Sequence, residues 1–357
     1  MSVCAAGAIA LTIGAGAAPQ AGQAPPPAGQ GAPPPAGQAG VPPPGQGRAG
    51  APPAQPPAPP PSLAALERAA TILGEARKAM GGPALEGVKT LTAAGRTKRV
   101  RGNNLVPIEF ELGIELPDKY FRKDEFPAEE TDPTSLGFNG DGLIQMPAPV
   151  APPARAGGPP PPTPAQLEAQ RKARVTGVKQ DFVRFALGMF ARSFETYPLT
   201  FAFAAQAEAP QGKADVLDVT GATNFKLRFL IHSETHLPIM VSWQLPPTSV
   251  LLRAPGQPPP ATVPPGAVFV DVPAPPAASA TQEEKDAYAK NVQGLQAKAR
   301  QTPVEHRIYF ADYRDVSGVK LPFRLRRAIG SDTTEETTFD RYQVNGKIDP
   351  RRFQVVK

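Results

Sequence analysis

This 357-residue chain predicts an α+β fold dominated by antiparallel sheet, and three observations carry that prediction. Residues 106–116, VPIEFELGIEL, alternate strictly. Ile108, Phe110, Leu112, Ile114 and Leu116 point one way, and Glu109, Glu111, Gly113 and Glu115 the other. A strand with one buried and one wet face belongs to an antiparallel sheet, not to a parallel sheet covered on both sides. Strand-like runs then follow in quick succession near 198–206, 213–220, 224–232, 237–245, 304–313, 319–328 and 334–344, with the short polar turns of a meander. Finally, two segments share one plan of strand, polar turn, Leu-Pro and strand. Phe229 leads to Leu237-Pro238, and Tyr313 leads to Leu321-Pro322. They read as successive hairpins of one curved sheet.

The elements follow in order. Residues 5–17, AAGAIALTIGAGA, form a small-residue apolar stretch ending in an A-x-A site at Ala15-Gly16-Ala17, so residues 1–18 read as an export signal, although residues 1–4 before that stretch hold no Lys or Arg. Cys4 is the single cysteine, which excludes an intrachain disulfide. Residues 19–61 repeat themes such as APPPAGQG and read as a disordered Pro/Gly/Ala-rich tether of polyproline character. Ser62 is an N-cap for a helix with Leu63, Leu66, Ala69, Ala70, Leu73, Ala76 and Met80 at helical spacing, stopped by Gly81-Gly82-Pro83. A strand over 119–124 follows 106–116, and Asn139-Gly140-Asp141-Gly142 is a turn between two more.

A helix over roughly 165–194 carries two adjoining apolar stripes. One is Phe182, Phe185, Ala186 and Met189; the other is Val183, Leu187, Phe190 and Phe194. An arc that wide belongs to a helix buried on most sides, or to one lying over a hydrophobic cavity. The folded domain therefore spans 62–357, with Pro-rich insertions near 147–164 and 246–301. Pro lacks an N–H and fixes φ, so these stretches are expected to form no ladder or helix bonds along their length. The polar segment 281–301 reads as a solvated helix or as disorder.

The formal charge of +6 is modest for this length. Basic clusters at 96–101 and 324–327 read as solvated strand ends, and the adjacent pairs Glu129-Glu130 and Glu335-Glu336 as surface residues. With one Trp, no aromatic run and no zinc-ligand spacing, the chain shows no nucleic-acid module. His232 and His236 flank a turn instead of sharing a helix face, and His306 stands apart, so no metal is expected. There is no nucleophile elbow and no phosphate loop, so neither an enzyme nor a cofactor is expected.

In order along the chain, the helix ending in Gly81-Gly82, then ELPDKYFRKDEF, GFNGDGL, ADVLDVTG, LIHSETHLPIMVSW, DYRDVSGVKLPFRL and VNGKIDPRRF, resemble the periplasmic lipoprotein-carrier superfamily of the LolA/LolB type. The resemblance implies an unclosed, curved β half-barrel whose helices cover the concave face, and a cavity that takes acyl chains. The proline insertions depart from the pattern, as does Leu143-Ile144-Gln145 where many relatives place a tryptophan. The expected function is that of an exported periplasmic or envelope protein, carrier- or sensor-like in outer-membrane lipoprotein sorting. It would bind a lipid or lipoprotein acyl chain on Ile108, Phe110, Leu112, Ile114, Phe182, Phe185, Met189, Phe225, Leu227 and Phe229. The alternative is a solid-cored structural or interaction module with an envelope protein as partner.

Overall fold

The computed structural model describes residues 60–148 and 162–355, apart from positions 103, 130, 210, 211, 255, 259, 261 and 262. The export segment, the tether up to residue 59, Glu130 and most of the first proline insertion lie outside the described residues.

Ser62 accepts a hydrogen bond from the Ala65 N–H and opens α1 (Leu63–Ala79), whose buried stripe is Ala69, Ile72, Leu73 and Ala76. Its end is closed by paired bonds, from Gly81 N–H to the Lys78 carbonyl (3.3 Å) and from Gly82 N–H to the Arg77 carbonyl (2.9 Å). A one-turn helix, α2 (Pro83–Glu86), follows. The strands β1 (Thr90–Arg101), β2 (Asn104–Glu115), β3 (Lys119–Glu125), β4 (Thr134–Asn139) and β5 (Gly142–Met146) form a first meander.

Thr163 and Gln166 cap each other at the start of α3 (Pro164–Phe190), where Pro164 needs no N–H partner. The helix ends four residues earlier than the periodicity predicts, because Ala191 turns left-handed at φ 45°. Phe194 instead pairs with Tyr197 in an isolated bridge. Next come β6 (Leu199–Ala209), β7 (Gly212–Gly221), β8 (Phe225–His232) and β9 (Pro238–Leu245), a second meander. After the second insertion, β12 (Val304–Val316), β13 (Val319–Ile329) and β14 (Asp332–Val344) bridge the two.

The result is one twelve-stranded antiparallel sheet in the order β5-β4-β3-β2-β1-β14-β13-β12-β9-β8-β7-β6. Its ends, β5 and β6, do not pair with each other, so the half-barrel stays open. On the concave face, α3 and α1 pack onto the main core. On the convex face, Phe121, Ile144 and Phe353 form a small second cluster, with Phe353 supplied by a 3-10 turn (Pro350–Phe353). Among the described residues no helix is long and apolar enough to cross a membrane.

The insertion 246–301 corrects one expectation. Ser249–Arg253 (β10) and Ala267–Asp271 (β11) pair in parallel, and Gln282–Arg300 forms α4. Proline crowds the flanks of β10 and β11 but leaves both five-residue runs free of it, so their N–H donors remain available. Arg253 and Asp271 then close the pair with two bonds of 2.7 and 3.2 Å. Thr281 and Glu284 cap α4 reciprocally, which the sequence pattern T-x-x-E accounts for.

The Tyr313 hairpin turns on Ser317 and Gly318, both at positive φ (56° and 82°), and Asp315 accepts from the Gly318 N–H. It receives the end of α1: Lys320 N–H donates to the Met80 carbonyl at 2.8 Å. A Cβ on Gly81 would stand 2.4 Å from the Gly318 carbonyl oxygen, whereas one on Gly82 would meet nothing within 4 Å. Gly81→Ala should therefore cost about 2–3 kcal/mol by combining a clash with a disfavoured φ, and Gly82→Ala only about 1 kcal/mol. Thermal melts of the two variants check this, and equal shifts would refute the docking.

Candidate functional site

A cleft of about 730 Å³ opens on the concave face, between α3 and strands β3, β4, β5, β13 and β14. That volume lies within the range of roughly 300–1,000 Å³ typical of small-molecule sites. One wall is apolar: Tyr120, Leu136, Met146, Val178 and Phe185. Leu136 and Met146 come from the edge pair β4–β5 and are 42% and 58% exposed. Burial pushes the Tyr120 phenol up to about 12.

The other wall is charged, and sheet register builds it. Glu335 on β14 lies opposite Arg99 of β1 on one side and Arg327 of β13 on the other. Its carboxylate takes a 2.9 Å bond from Arg99 Nε and stands 3.6 Å from Arg327 and 3.8 Å from Arg122. Arg122 on β3 lies over the Phe110 ring, bonds Asp124 at 2.6 Å and donates to Thr97 Oγ1 at 3.3 Å. Burial raises the Glu335 pKa, but Arg327, Arg122 and Arg99 together outweigh it and hold this carboxyl below its ordinary value. Burial likewise opposes the charge on Arg122, and Asp124 and Glu335 outweigh it.

Two expectations are corrected here. Glu335 is not a surface residue: it is 7% exposed. The basic clusters are not uniformly solvated strand ends. Arg96, Lys98, Arg324 and Arg326 are exposed, but Arg99 and Arg327 fall on the concave phase and join Glu335. A signal was present. Arg99 is in phase with Ala93 and Thr97 across a bulge, and Arg327 is in phase with Phe323 and Leu325. Phase, not charge, decides which face of the sheet these side chains take.

Beside the cleft, Asp181 of α3 accepts from Arg184 at 2.6 Å. The Arg184 side chain is 9% exposed and lies 4.7 Å over the Trp243 ring and 5.0 Å over the Phe225 ring. Trp243 stacks on His306, its partner in register. Arg184 Nε, Trp243 Nε1 and His306 Nε2 are buried without a hydrogen-bond partner among the described residues.

All ten residues expected to line an apolar cavity are buried. Phe110, Leu112 and Ile114 of β2, Phe182, Phe185 and Met189 of α3, and Phe225, Leu227 and Phe229 of β8 meet in the main core. Ile108 is buried outside it, opposite Thr97. Only Phe185 of the ten borders the cleft. Phe182 packs against Tyr120, Phe138 and Phe194 at ring distances of 5.1–5.4 Å. At Gly188 a Cβ would come within 2.2 Å of the Phe310 ring, so α3 lies hard against β12 there, and Tyr313 Oη donates to the Gly188 carbonyl at 2.8 Å. The histidines lie apart from the cleft wall. His232 Nδ1 accepts from the Glu234 and Thr235 N–H groups, and His236 stands 3.6 Å from Glu75.

No family model and no curated protein matches this chain. Among solved structures it is similar to a LolA superfamily protein from Nitrosomonas europaea, at 13% identity and a TM-score of 0.41 over 80% of this chain and 97% of that one. It is also similar to a DUF1329 family protein from Desulfovibrio piger, at 7% identity and a TM-score of 0.38 over 81% and 97%. A third is an outer membrane lipoprotein-sorting protein domain from Vibrio parahaemolyticus, at 9% identity and a TM-score of 0.37 over 80% and 97%.

Proposed function

We propose that this protein binds an acyl chain or a comparable apolar ligand on the concave face of its half-barrel, as an exported envelope carrier or sensor. The observation that carries this reading is the cleft, where Leu136 and Met146 expose apolar surface beside Val178 and Phe185. An apolar tail enters there, and no catalytic group is needed. Phe185 stands at the entrance. Eight of the other nine expected residues belong to the packed core behind it, which a longer tail reaches only as α3 tilts off the sheet; Ile108 is buried outside that core. Residues 1–18 direct export and 19–61 tether the domain. A lipid, a lipoprotein or an envelope protein is the partner.

The aromatic packing of Phe182 favours a second reading, a solid-cored interaction module that binds no lipid. Native mass spectrometry of the full chain, purified without detergent and followed by organic extraction, separates the two. A stoichiometric lipid supports binding; clean protein that also takes up no fluorescent fatty acid supports the module. Leu136→Ser with Met146→Ser removes two exposed side chains, worth about 1–2 kcal/mol of chain contact, so the fluorescent probe should bind about tenfold more weakly. The melting temperature should hold, because neither residue belongs to the core.

A further inference from the structure

The charged wall of the same cleft points to the chemistry of the ligand's other end. Four arginines line the cleft, Arg99, Arg122, Arg174 and Arg327, against three carboxylates, Asp124, Asp181 and Glu335. Asp181 is already bonded to Arg184, which lies behind the wall. With Arg184 counted, five guanidiniums face three carboxylates. Asp124 is engaged by Arg122 at 2.6 Å and Arg99 at 3.6 Å, and Glu335 is divided among three arginines. Arg122 has Asp124 and Arg99 has a 2.9 Å bond to Glu335, whereas Arg327 has no ion pair among the described residues closer than its 3.6 Å contact with Glu335, and its side chain is 30% exposed. A low-dielectric cleft focuses such a surplus instead of letting solvent dissipate it. Burial first, and Arg327 with it, lowers the Arg184 pKa; burial first, then Arg184, lowers that of His306. The planar guanidinium fork suits a carboxylate or phosphate, which it binds bidentately.

We infer that the cleft takes an anionic amphiphile, with a carboxylate or phosphate against Arg327 and Arg122 and its tail along Phe185, Val178 and Leu136. Gln145 Oε1, a buried acceptor in the same wall with no partner among the described residues, offers a seat for a hydroxyl next to the anion. The inference rests on the acyl-chain reading above and adds the headgroup to it.

Three probes of one chain length test it on the full chain by titration calorimetry: palmitate, palmitoyl glycerol phosphate and uncharged monopalmitoylglycerol. At least one anionic probe should bind about tenfold or more tightly than the neutral one, since a hydrogen bond to a charged group contributes about 1.5–3 kcal/mol. Which of the two leads distinguishes a fatty-acid carboxylate from a phosphate headgroup. In Arg327→Gln the anionic and neutral probes should come within about threefold of each other, and Arg327→Lys should restore part of the gap. Equal binding of charged and neutral probes to the unaltered protein overturns the anion inference and leaves the chain reading standing. An anionic preference that survives Arg327→Gln also overturns it. If none of the three binds, the chain reading falls too.

Discussion

Phe182→Ala should destabilise the protein by about 3–5 kcal/mol, the cost of an aromatic side chain removed from a closed core. Phe182 is 2% exposed and joins Tyr120 of β3, Phe138 of β4 and Phe194 after the helix. Its ring therefore ties α3 to the first meander, and little around it can collapse into the space left behind. In a domain of this size the melting temperature should fall by about 10 °C, measurable by calorimetry or circular dichroism. The experiment also bears on function. A residue lining an open apolar cavity has fewer partners to lose, so a fall of under about 3 °C would show that α3 rests loosely on the sheet. A large fall means that a ligand tail lengthening into the core has to displace well-packed aromatic rings. Most of its binding surface would then be the cleft wall itself.

Glu335→Gln should cost about 1–3 kcal/mol near neutral pH. A fully buried pair broken on one side costs about 3–5 kcal/mol, and the arginines here are about one-fifth to one-third exposed, so water recovers part of the loss. The pH dependence has a definite sign. The folded-state pKa of Glu335 lies below its ordinary value. Its ionised form therefore favours the folded state at every pH above the unfolded glutamate pKa of about 4.3, and that contribution is lost as the pH falls through the lower, folded value. Melting temperatures of the parent and Glu335→Gln should differ most from pH 5 to 7, and the gap should shrink as the pH falls below the unfolded glutamate pKa of about 4.3. A constant gap from pH 7 to pH 3 would show that the variant acts by packing and not by charge. The same variant frees Arg99, Arg122 and Arg327 from their shared carboxylate. It should strengthen binding of an anionic probe even as it weakens the fold, a pairing that simple unfolding would not produce.

Local sequence alone determined the alternating strands, the tight turns between them and the ends of α1. In β2, period-two alternation marks the inward row Ile108, Phe110, Leu112 and Ile114, and all four are buried. Ser62 and the Gly81-Gly82 pair bound α1 because a cap is chemistry among residues three to five apart. The Leu-Pro hairpins lie side by side through β9 and β12, as two copies of one plan should in a meander. The two short strands of the second insertion do not show in its overall composition, because each is a five-residue run free of proline inside a proline-rich stretch.

Only the tertiary structure decided which charges turn inward and what they meet. Arg99 and Glu335 are 236 residues apart in sequence, yet the junction of β1 with β14 sets them in register, and the β13–β14 hairpin brings Arg327 to the other side. No window on the chain contains that pairing. It arises because one sheet joins the first meander to the last three strands. Once the apolar rows have chosen the concave face, every residue in phase with them must follow, charged or not. An arginine forced inward finds the nearest carboxylate, and where arginines outnumber carboxylates the surplus positive charge remains in the cleft.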